Sequence, residues 1–351
     1  MKNILLTGIM ILGFPGNYFT LSAQENQKNC DIRQYAYYTN LAELAITDSA
    51  YQKAIAYYDS ASQFIDSPFA KDRYNKSVCY ALSGNYEECR PVLLYLAGKG
   101  LDRQIIIDNP AFKEFLASEA GKDFPELKID LTYNIRLRAI YDSIHEADQY
   151  FRRKHPKNYH DYYHDTITKI DASNVKLMNE LIVQYGWPTE DLIGISDLGF
   201  LKYEIIVIHQ SHTFQIYNYS VDILKALEKG LIDMTTAAYL ISRSNSRDDF
   251  GLMEIGYVLH VFDPEGTYKM GEDLNKYQHK AGFVQLPDET SLKYDLKRKE
   301  FGLESIENFR QKIIFSDKDK RFYFKYYGGK SGVTWSGYED YEYAVKNMVE
   351  F

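Results

Sequence analysis

The feature that most constrains this fold is an internal repeat in residues 35–100, where helical positions recur at an offset of 35. The pattern predicts two copies of one helical hairpin. A single hairpin of this kind cannot bury its apolar stripe alone, so stacked copies form an α-solenoid with a concave surface for a partner. The corresponding positions include Ala42/Ser77, Ser49/Gly84, Tyr51/Tyr86, Ala54/Cys89 and Tyr58/Leu93.

The first copy carries a small, small, aromatic, small pattern at Ala42, Ala54, Tyr58 and Ala61. With Tyr51, this spacing resembles the tetratricopeptide repeat, and the second copy departs from it at Leu96. The resemblance implies a protein-binding solenoid fragment. With a short helical cap, it is expected to occupy residues 31–125.

Residues 130–315 carry a second resemblance, to an uncharacterised family of exported bacterial domains that has a Gly-Trp-Pro turn and is often attached to such repeats. Its departures are Ser242, where an acid is expected, and residues 253–257, where a Gln-rich stretch is expected. The resemblance implies a helical domain, and because the family has no established activity, it carries no catalytic role over to these residues. The residues that carry it are Asn174, Gly186-Trp187-Pro188, His209, Ala238-Tyr239-Leu240, Arg243, Arg298 and Gly302-Leu303.

The N-terminus has the pattern of a secretory signal. Lys2 precedes an apolar run from Ile4 to Phe14, which is too short to span a bilayer, and Leu21-Ser22-Ala23 offers a small-residue cleavage site. We therefore expect residues 1–23 to be a signal peptide and the mature chain to be periplasmic or secreted, with no transmembrane segment. The alternative is a buried N-terminal helix, which the glycines and proline at positions 13–16 disfavour.

Charge and cysteine content limit the classes of partner and of cross-link. With 49 acidic against 41 basic side chains, the chain repels phosphate backbones, so nucleic acid is not an expected partner. Three cysteines allow at most one intrachain disulfide. Cys79 and Cys89 fall on facing helices of one hairpin, where two small core residues are favoured over a disulfide, although the pattern allows both.

The aromatic run Phe322–Tyr327 and the following Val333-Thr334-Trp335 predict a small β-hairpin in residues 316–351, with a short helix from about Tyr338 to Val349. The Gly-Gly-Lys-Ser-Gly loop at 328–332 lacks the spacing of a phosphate-binding loop and leads into a β-prone run rather than a helix. We therefore expect no phosphate site there.

Few residues suggest chemistry, and no cofactor is indicated. His209 and His212 are expected one turn apart on a helix, both pointing inward, and a zinc site would need at least one more ligand. We expect buried structural histidines; the alternative is a polar cluster with Arg243 and Glu254. The pair Asp148/Arg152 is expected on the surface. His160 and His164, four residues apart, are expected on a solvated helix face.

The predicted fold is therefore mainly α: α-solenoid-like helical hairpins, a helical domain and a small C-terminal β-hairpin. The function that this organisation favours is an exported scaffold that binds a protein or peptide without chemistry. The alternative is an exported hydrolase or metal-dependent enzyme whose site lies in the central domain, at His209, His212, Arg243 and Glu254.

Overall fold

Helices form most of this molecule, and the prediction of a mainly α fold with helical hairpins, a helical domain and a small β-hairpin toward the C-terminus is confirmed. The computed structural model describes residues 30–154, 159–210, 216–255, 258–262, 279–326, 330–332, 346 and 348–350. The expected signal peptide at 1–23 lies outside the described residues.

The N-terminal helical pairs are α1 (Ile32–Thr47) with α2 (Tyr51–Ala61), and α3 (Ala70–Leu82) with α4 (Tyr86–Gly98). Helix α1 ends 35 residues before α3 ends, and α2 begins 35 residues before α4 begins. The small residues expected at the helix crossings are fully buried, since Ala42, Ala54 and Cys89 have no exposed surface. These positions therefore let the paired helices approach closely.

A short cap follows the N-terminal helical pairs. It consists of α5 (Arg103–Ile107), a 3-10 turn (Pro110–Phe112), α6 (Lys113–Ala117) and a second 3-10 turn (Phe124–Glu126). Asp102 caps α5, because its carboxylate accepts a hydrogen bond from the backbone N–H of Gln104 at 2.9 Å. Phe112, Phe115 and Phe124 are completely buried and close the end of the core.

The central region contains two long helices and several short ones: α7 (Ile135–Lys154), α8 (Tyr159–Tyr185), α9 (Glu190–Ile193), α10 (Glu204–His209), α11 (Ser220–Glu228), α12 (Met234–Ser244), α13 (Leu252–Ile255), α14 (Asp288–Phe301) and α15 (Ile306–Lys318). Asp171 lies inside α8. Helix α8 ends just before Gly186, whose φ of 85° is left-handed and stops the helix.

The sheet has the strand order β3-β1-β2-β4, with β1 (Val258–Phe262), β2 (His279–Val284), β3 (Lys330–Gly332) and β4 (Met348–Glu350). Strands β1 and β2 are antiparallel with Val258 opposite Phe283, and β3 pairs parallel to β1. The antiparallel pair therefore lies earlier in the chain than the sequence indicated. The final residues, expected as a helix, include strand β4, and residues 333–345 lie outside the described part of the chain.

Residues 322–326, expected as a strand, form none. Their alternating aromatic side chains do point inward, since Phe322 and Phe324 are each only 5% exposed. However, the main chain of Tyr323 hydrogen-bonds to the side chain of Asn75 on α3 rather than to a neighbouring strand. The aromatic run therefore belongs to a buried extended segment and not to the expected hairpin.

Two hydrophobic cores hold the described residues together. One lies inside the N-terminal helical pairs and their cap, and it includes Phe322 and Phe324. The other joins Ile32, Tyr35 and Phe69 to the helices of the central region. The N-terminal helical pairs and the central region thus share buried surface rather than meeting through a linker.

The cysteines of the described chain are free thiols, with Cys79 and Cys89 buried and Cys30 exposed. Burial raises the pKa of the Cys89 thiol to about 12, which suppresses the reactive thiolate. Its Sγ donates a hydrogen bond of 3.4 Å to the carbonyl oxygen of Ser77. Among the described helices, none combines the length and apolar character needed to cross a bilayer.

Candidate functional site

The first predicted site residue, His209, is part of a buried ionic network that joins three helices. It ends α10, and its Nδ1 lies 2.8 Å from the carboxylate of Asp148 on α7. Asp148 is only 2% exposed and also pairs with Arg152, at 3.1 Å. Arg152 in turn donates to Asp171 on α8, at 2.8 Å. The network therefore fixes α7, α8 and α10 against one another.

The surface position expected for Asp148 and Arg152 is wrong. The i, i+4 spacing correctly placed them beside each other on α7, but it could not show that α8 and α10 cover them. Burial raises the pKa of Asp171, although the neighbouring Arg152 opposes that shift. Removing the charge of Asp148 or of Arg152 would leave its partner as an uncompensated ion in the interior.

Two of the four candidate residues lie within the described part of the chain: His209 at the end of α10 and Arg243 near the end of α12. His212 and the side chain of Glu254 lie outside it. The side chain of His160 is also outside them, while His164 pairs with Asp165 on an exposed stretch of α8. Within the described residues there is no group of three His, Cys, Asp or Glu side chains that could hold a metal ion.

Sequence reasoning missed a polar feature of the described chain, a partly open space of about 360 Å³ that we name the acidic cleft. Its lining side chains include four carboxyl groups and one ammonium group, contributed by Glu190, Asp197, Glu204, Asp233 and Lys325. Lys325 Nζ lies 3.5 Å from Glu204 and 3.7 Å from Asp233. The cleft therefore has more acidic than basic groups.

Helix N-termini hold three of these four carboxyl groups in place. Asp233 caps α12 by accepting from Thr236 N at 2.9 Å, and Glu204 is the first residue of α10. Glu190 begins α9 and also accepts from the backbone N–H of Ala70, at the start of α3, at 2.6 Å. Each site places a carboxylate near the positive end of a helix dipole.

Burial divides the acidic groups of the cleft into two kinds. It raises the pKa of Glu190 to about 7, and it raises the pKa of Glu204 to about 7 in spite of the neighbouring Lys325. Burial also disfavours the charged form of Asp233, but Lys325 and Lys71 outweigh it and lower the pKa of that carboxyl group. Near neutral pH the cleft therefore exchanges protons at the two glutamates while Asp233 stays ionised.

A second group of buried charges lies beside the cleft and links α1, α3 and α15. Glu43 accepts from Lys71 at 2.7 Å through one carboxylate oxygen and from Lys312 at 2.6 Å through the other. Lys312 also pairs with Glu304, at 3.0 Å. Burial disfavours ionised Glu304, yet Lys312 and Arg298 lower its pKa to about 2. This alternation of charges ties the N-terminal helical pairs to the central region.

Residues 319–326, which we name the inserted segment, lie along the N-terminal helical pairs and their cap. Asn75 on α3 contacts the main chain of Tyr323 twice: its Nδ2 donates to the carbonyl oxygen at 2.7 Å, and its Oδ1 accepts from the N–H at 2.8 Å. Asn109 donates to the carbonyl oxygen of Arg321 at 2.7 Å. Two amide side chains therefore recognise an extended backbone as a neighbouring strand would.

The side chains of the inserted segment occupy different surroundings. Phe322 stacks on Tyr51 of α2, with ring centroids 5.9 Å apart, and Phe324 packs on Phe315 at 5.7 Å. Lys325 enters the acidic cleft. We name the surface that receives the segment the asparagine groove, defined by Asn75, Asn109 and Tyr51. The groove and the cleft are contacted by consecutive residues of one segment.

Two sequence signals bear on these features. Asn40 and Asn75 occupy equivalent positions at the 35-residue offset, and Lys325 is the one basic residue within an aromatic run. Three of the four carboxyl groups of the cleft come from separate helix starts, at Glu190, Glu204 and Asp233, and no local pattern joins them. No family model matches the chain, and no characterised protein or solved structure matches it.

Proposed function

We propose that this protein is an exported scaffold that binds extended peptide segments of a partner through the asparagine groove. The observation that carries the proposal is the two-point hydrogen bonding of Asn75 to the backbone of Tyr323. A primary amide matches the donor and acceptor of a peptide unit, so it recognises extended chain with little dependence on sequence. A binding surface of this kind serves a partner rather than a reaction.

A repeated asparagine supports the same proposal. Asn40 on α1 is the equivalent of Asn75 at the 35-residue offset, and Asn109 lies one position short of the next equivalent. The Oδ1 of Asn40 is buried, and among the described residues it has no hydrogen-bond partner. A buried acceptor of this kind is costly unless a donor reaches it. A donor from a ligand or from water would satisfy this oxygen.

The test measures binding of a fluorescein-labelled peptide of residues 319–326 to the full chain. The protein carries Phe322→Ala, which removes the stacking on Tyr51 and loosens the inserted segment so that the peptide can enter. If this variant does not unfold cooperatively, Phe322→Leu is used in its place. We expect saturable binding. Adding Asn75→Ala should weaken it by about 10-fold, since a buried hydrogen-bonded partner is lost.

Two controls make the test specific. Asn85→Ala changes an asparagine of the same helical pair whose side chain makes no capping hydrogen bond, and it should leave the peptide affinity within about 2-fold. A peptide N-methylated at the position of Tyr323 cannot donate to Asn75. Its affinity for the Phe322→Ala chain should fall as much as the affinity of the unmodified peptide falls when Asn75→Ala is added. Absence of saturable binding, or indifference to both changes, would contradict the proposal.

Export is the second part of the proposal and rests on residues 1–23 alone. We expect the natively expressed protein to begin near Gln24, as the small residues before it indicate. N-terminal sequencing of the native protein measures this directly. Recovery of an intact Met1 from the cytosolic fraction would rule out cleavage and with it this part of the proposal.

A further inference from the structure

The inserted segment contacts the protein through its side chains as well as its backbone. Phe322 and Phe324, two residues apart in an extended stretch, both enter the core of the N-terminal helical pairs. Between them, Tyr323 supplies the backbone that Asn75 binds. The next residue, Lys325, places its ammonium group among carboxylates that come from the central region. Four consecutive residues therefore contact two different parts of the fold.

From this arrangement we propose that the asparagine groove and the acidic cleft form one recognition site for a partner segment with the order aromatic, any residue, aromatic, lysine. The chain's own residues 322–325 are its resident occupant, which the partner segment displaces. This inference rests on the proposed peptide-binding function and adds the chemistry of the ligand. The ligand is an extended peptide that carries a primary ammonium group.

Charge complementarity selects lysine at the last position. The carboxyl groups of the cleft outnumber its single ammonium, which belongs to the resident Lys325. The Lys325 side chain is only 10% exposed, so its charge is largely removed from water and must be balanced by the cleft. A neutral residue in that position would leave Asp233 without the ammonium that now lies 3.7 Å from it.

Aromatic surfaces select the other two positions. Phe322 stacks on the ring of Tyr51, and the guanidinium carbon of Arg321 is 5.9 Å from the Phe322 ring centre. Phe324 lies against Phe315, and Phe322 and Phe324 are both nearly fully buried. Aromatic pairs of this kind favour ring side chains over aliphatic ones beyond the area that they bury.

The test uses full-length Lys325→Ala, which removes the resident ammonium and leaves the cleft carboxylates in place. The probe is acetyl-Arg-Phe-Tyr-Phe-Lys-Tyr-amide, and its partner probe has Gln in place of Lys; fluorescence anisotropy reports both affinities. We expect the lysine probe to bind Lys325→Ala about 10-fold more tightly than the glutamine probe does. Lys320→Ala, at an exposed lysine of the same segment, is the matched control and should not bind the lysine probe more tightly than the unchanged chain does.

Equal affinity for the two probes, with the Asn75 dependence intact, would overturn the lysine requirement and leave the proposed function standing. No binding of either probe by any variant would overturn both. If Lys325→Ala does not unfold cooperatively, Lys325→Gln, which retains most of the side-chain volume, is used in its place for both peptide probes. Failure of the lysine requirement alone is therefore distinguishable from failure of the function on which it rests.

A second measurement addresses the ammonium site without a peptide. n-Propylammonium supplies the atoms that Lys325→Ala removes beyond Cβ, so at millimolar concentration it should raise the thermal midpoint of that variant. 1-Propanol, which has no charge, should not, and neither compound should raise the midpoint of Lys320→Ala. Equal effects of amine and alcohol on Lys325→Ala would show that the cleft does not select the charge and would contradict the inference.

Discussion

At the scale of single residues, the turns within the N-terminal helical pairs show how one backbone conformation is built from two different residues. Ser49 and Gly84 are equivalent at the 35-residue offset and have φ values of 58° and 75°. In both turns the next N–H bonds back to a helical carbonyl, from Ala50 to Ala45 and from Asn85 to Tyr80. Glycine adopts this left-handed conformation without strain, whereas serine does so at a cost.

The first prediction concerns these two turns. Ser49→Gly should raise the free energy of unfolding by about 0.5–1 kcal/mol because it relieves the strain of a left-handed residue. Gly84→Ala should lower it by roughly 1 kcal/mol, and only for conformational reasons, since a Cβ at this position would meet nothing within 4 Å. Urea denaturation measures both changes. Effects of the same sign would show that the two turns are not equivalent.

Residue-scale features were predictable where the repeat offset or local spacing decided them. The offset pairs Ser49 with Gly84 and so locates both turns. The burial of Asp148 and Arg152 was not predictable, because spacing along α7 says which residues are neighbours and not which helices cover them. The contact of His209 with Asp148 was not predictable either, because the two residues are 61 positions apart in the chain.

At the scale of secondary-structure elements, close helix crossings set the limits of substitution. Ala54 is fully buried in the core of the N-terminal helical pairs. Ala54→Leu should overpack the crossing with α1 and cost about 1–3 kcal/mol of stability. Ala56→Leu, on the exposed face of the same helix, is the matched control. An unchanged melting curve for Ala54→Leu would argue against a close crossing at this position.

The buried ionic network between α7, α8 and α10 gives a third prediction. Arg152→Met keeps an apolar stem but leaves Asp148 and Asp171 buried without their shared cation, so stability should fall by about 3–5 kcal/mol. Arg153→Met, on the exposed side of α7, is the matched control, because Arg153 and its partner Glu146 are both more than half exposed. Equal melting temperatures for the two variants would mean that the network contributes no net stability.

Helices were easier to predict than strands in this chain, for a physical reason. The apolar stripe of a helix is local: in α7 (Ile135–Lys154) the buried Leu137, Tyr141 and Ile144 recur at helical spacing within the sequence of the helix itself. The alternation of Phe322 and Phe324 is equally local, but whether such a stretch pairs with a strand depends on a distant partner. Here that partner is Asn75, whose amide substitutes for a strand.

At the scale of the whole molecule, the buried carboxyl groups make stability depend on pH in two opposite ways. Glu190 and Glu204 have pKa values raised to about 7, so the folded state holds their protons at pH values where the unfolded state has lost them. Their contribution is therefore lost as pH rises toward 7. Glu304, with a pKa lowered to about 2, contributes stability that is lost as pH falls below the value of a free glutamate.

We therefore predict maximal stability at mildly acidic pH. Between roughly pH 5 and 7, each of the two raised glutamates should change the unfolding free energy by up to about 1.4 kcal/mol per pH unit. Glu190→Gln keeps an acceptor for the N–H of Ala70 and should flatten that slope, with higher stability than the unchanged chain at pH 8. Chemical denaturation at several pH values measures this; a slope that Glu190→Gln does not alter would contradict the assignment.

The inserted segment also determines when this chain can fold. Asn75 and the main chain of Tyr323 are separated by 248 positions, and the core of the N-terminal helical pairs is completed by Phe322 and Phe324. The helices that are synthesised first must therefore wait for residues 322–324 before their core closes. Contacts this distant in sequence slow folding. Until the segment arrives, the chain exposes an apolar groove that other chains can reach.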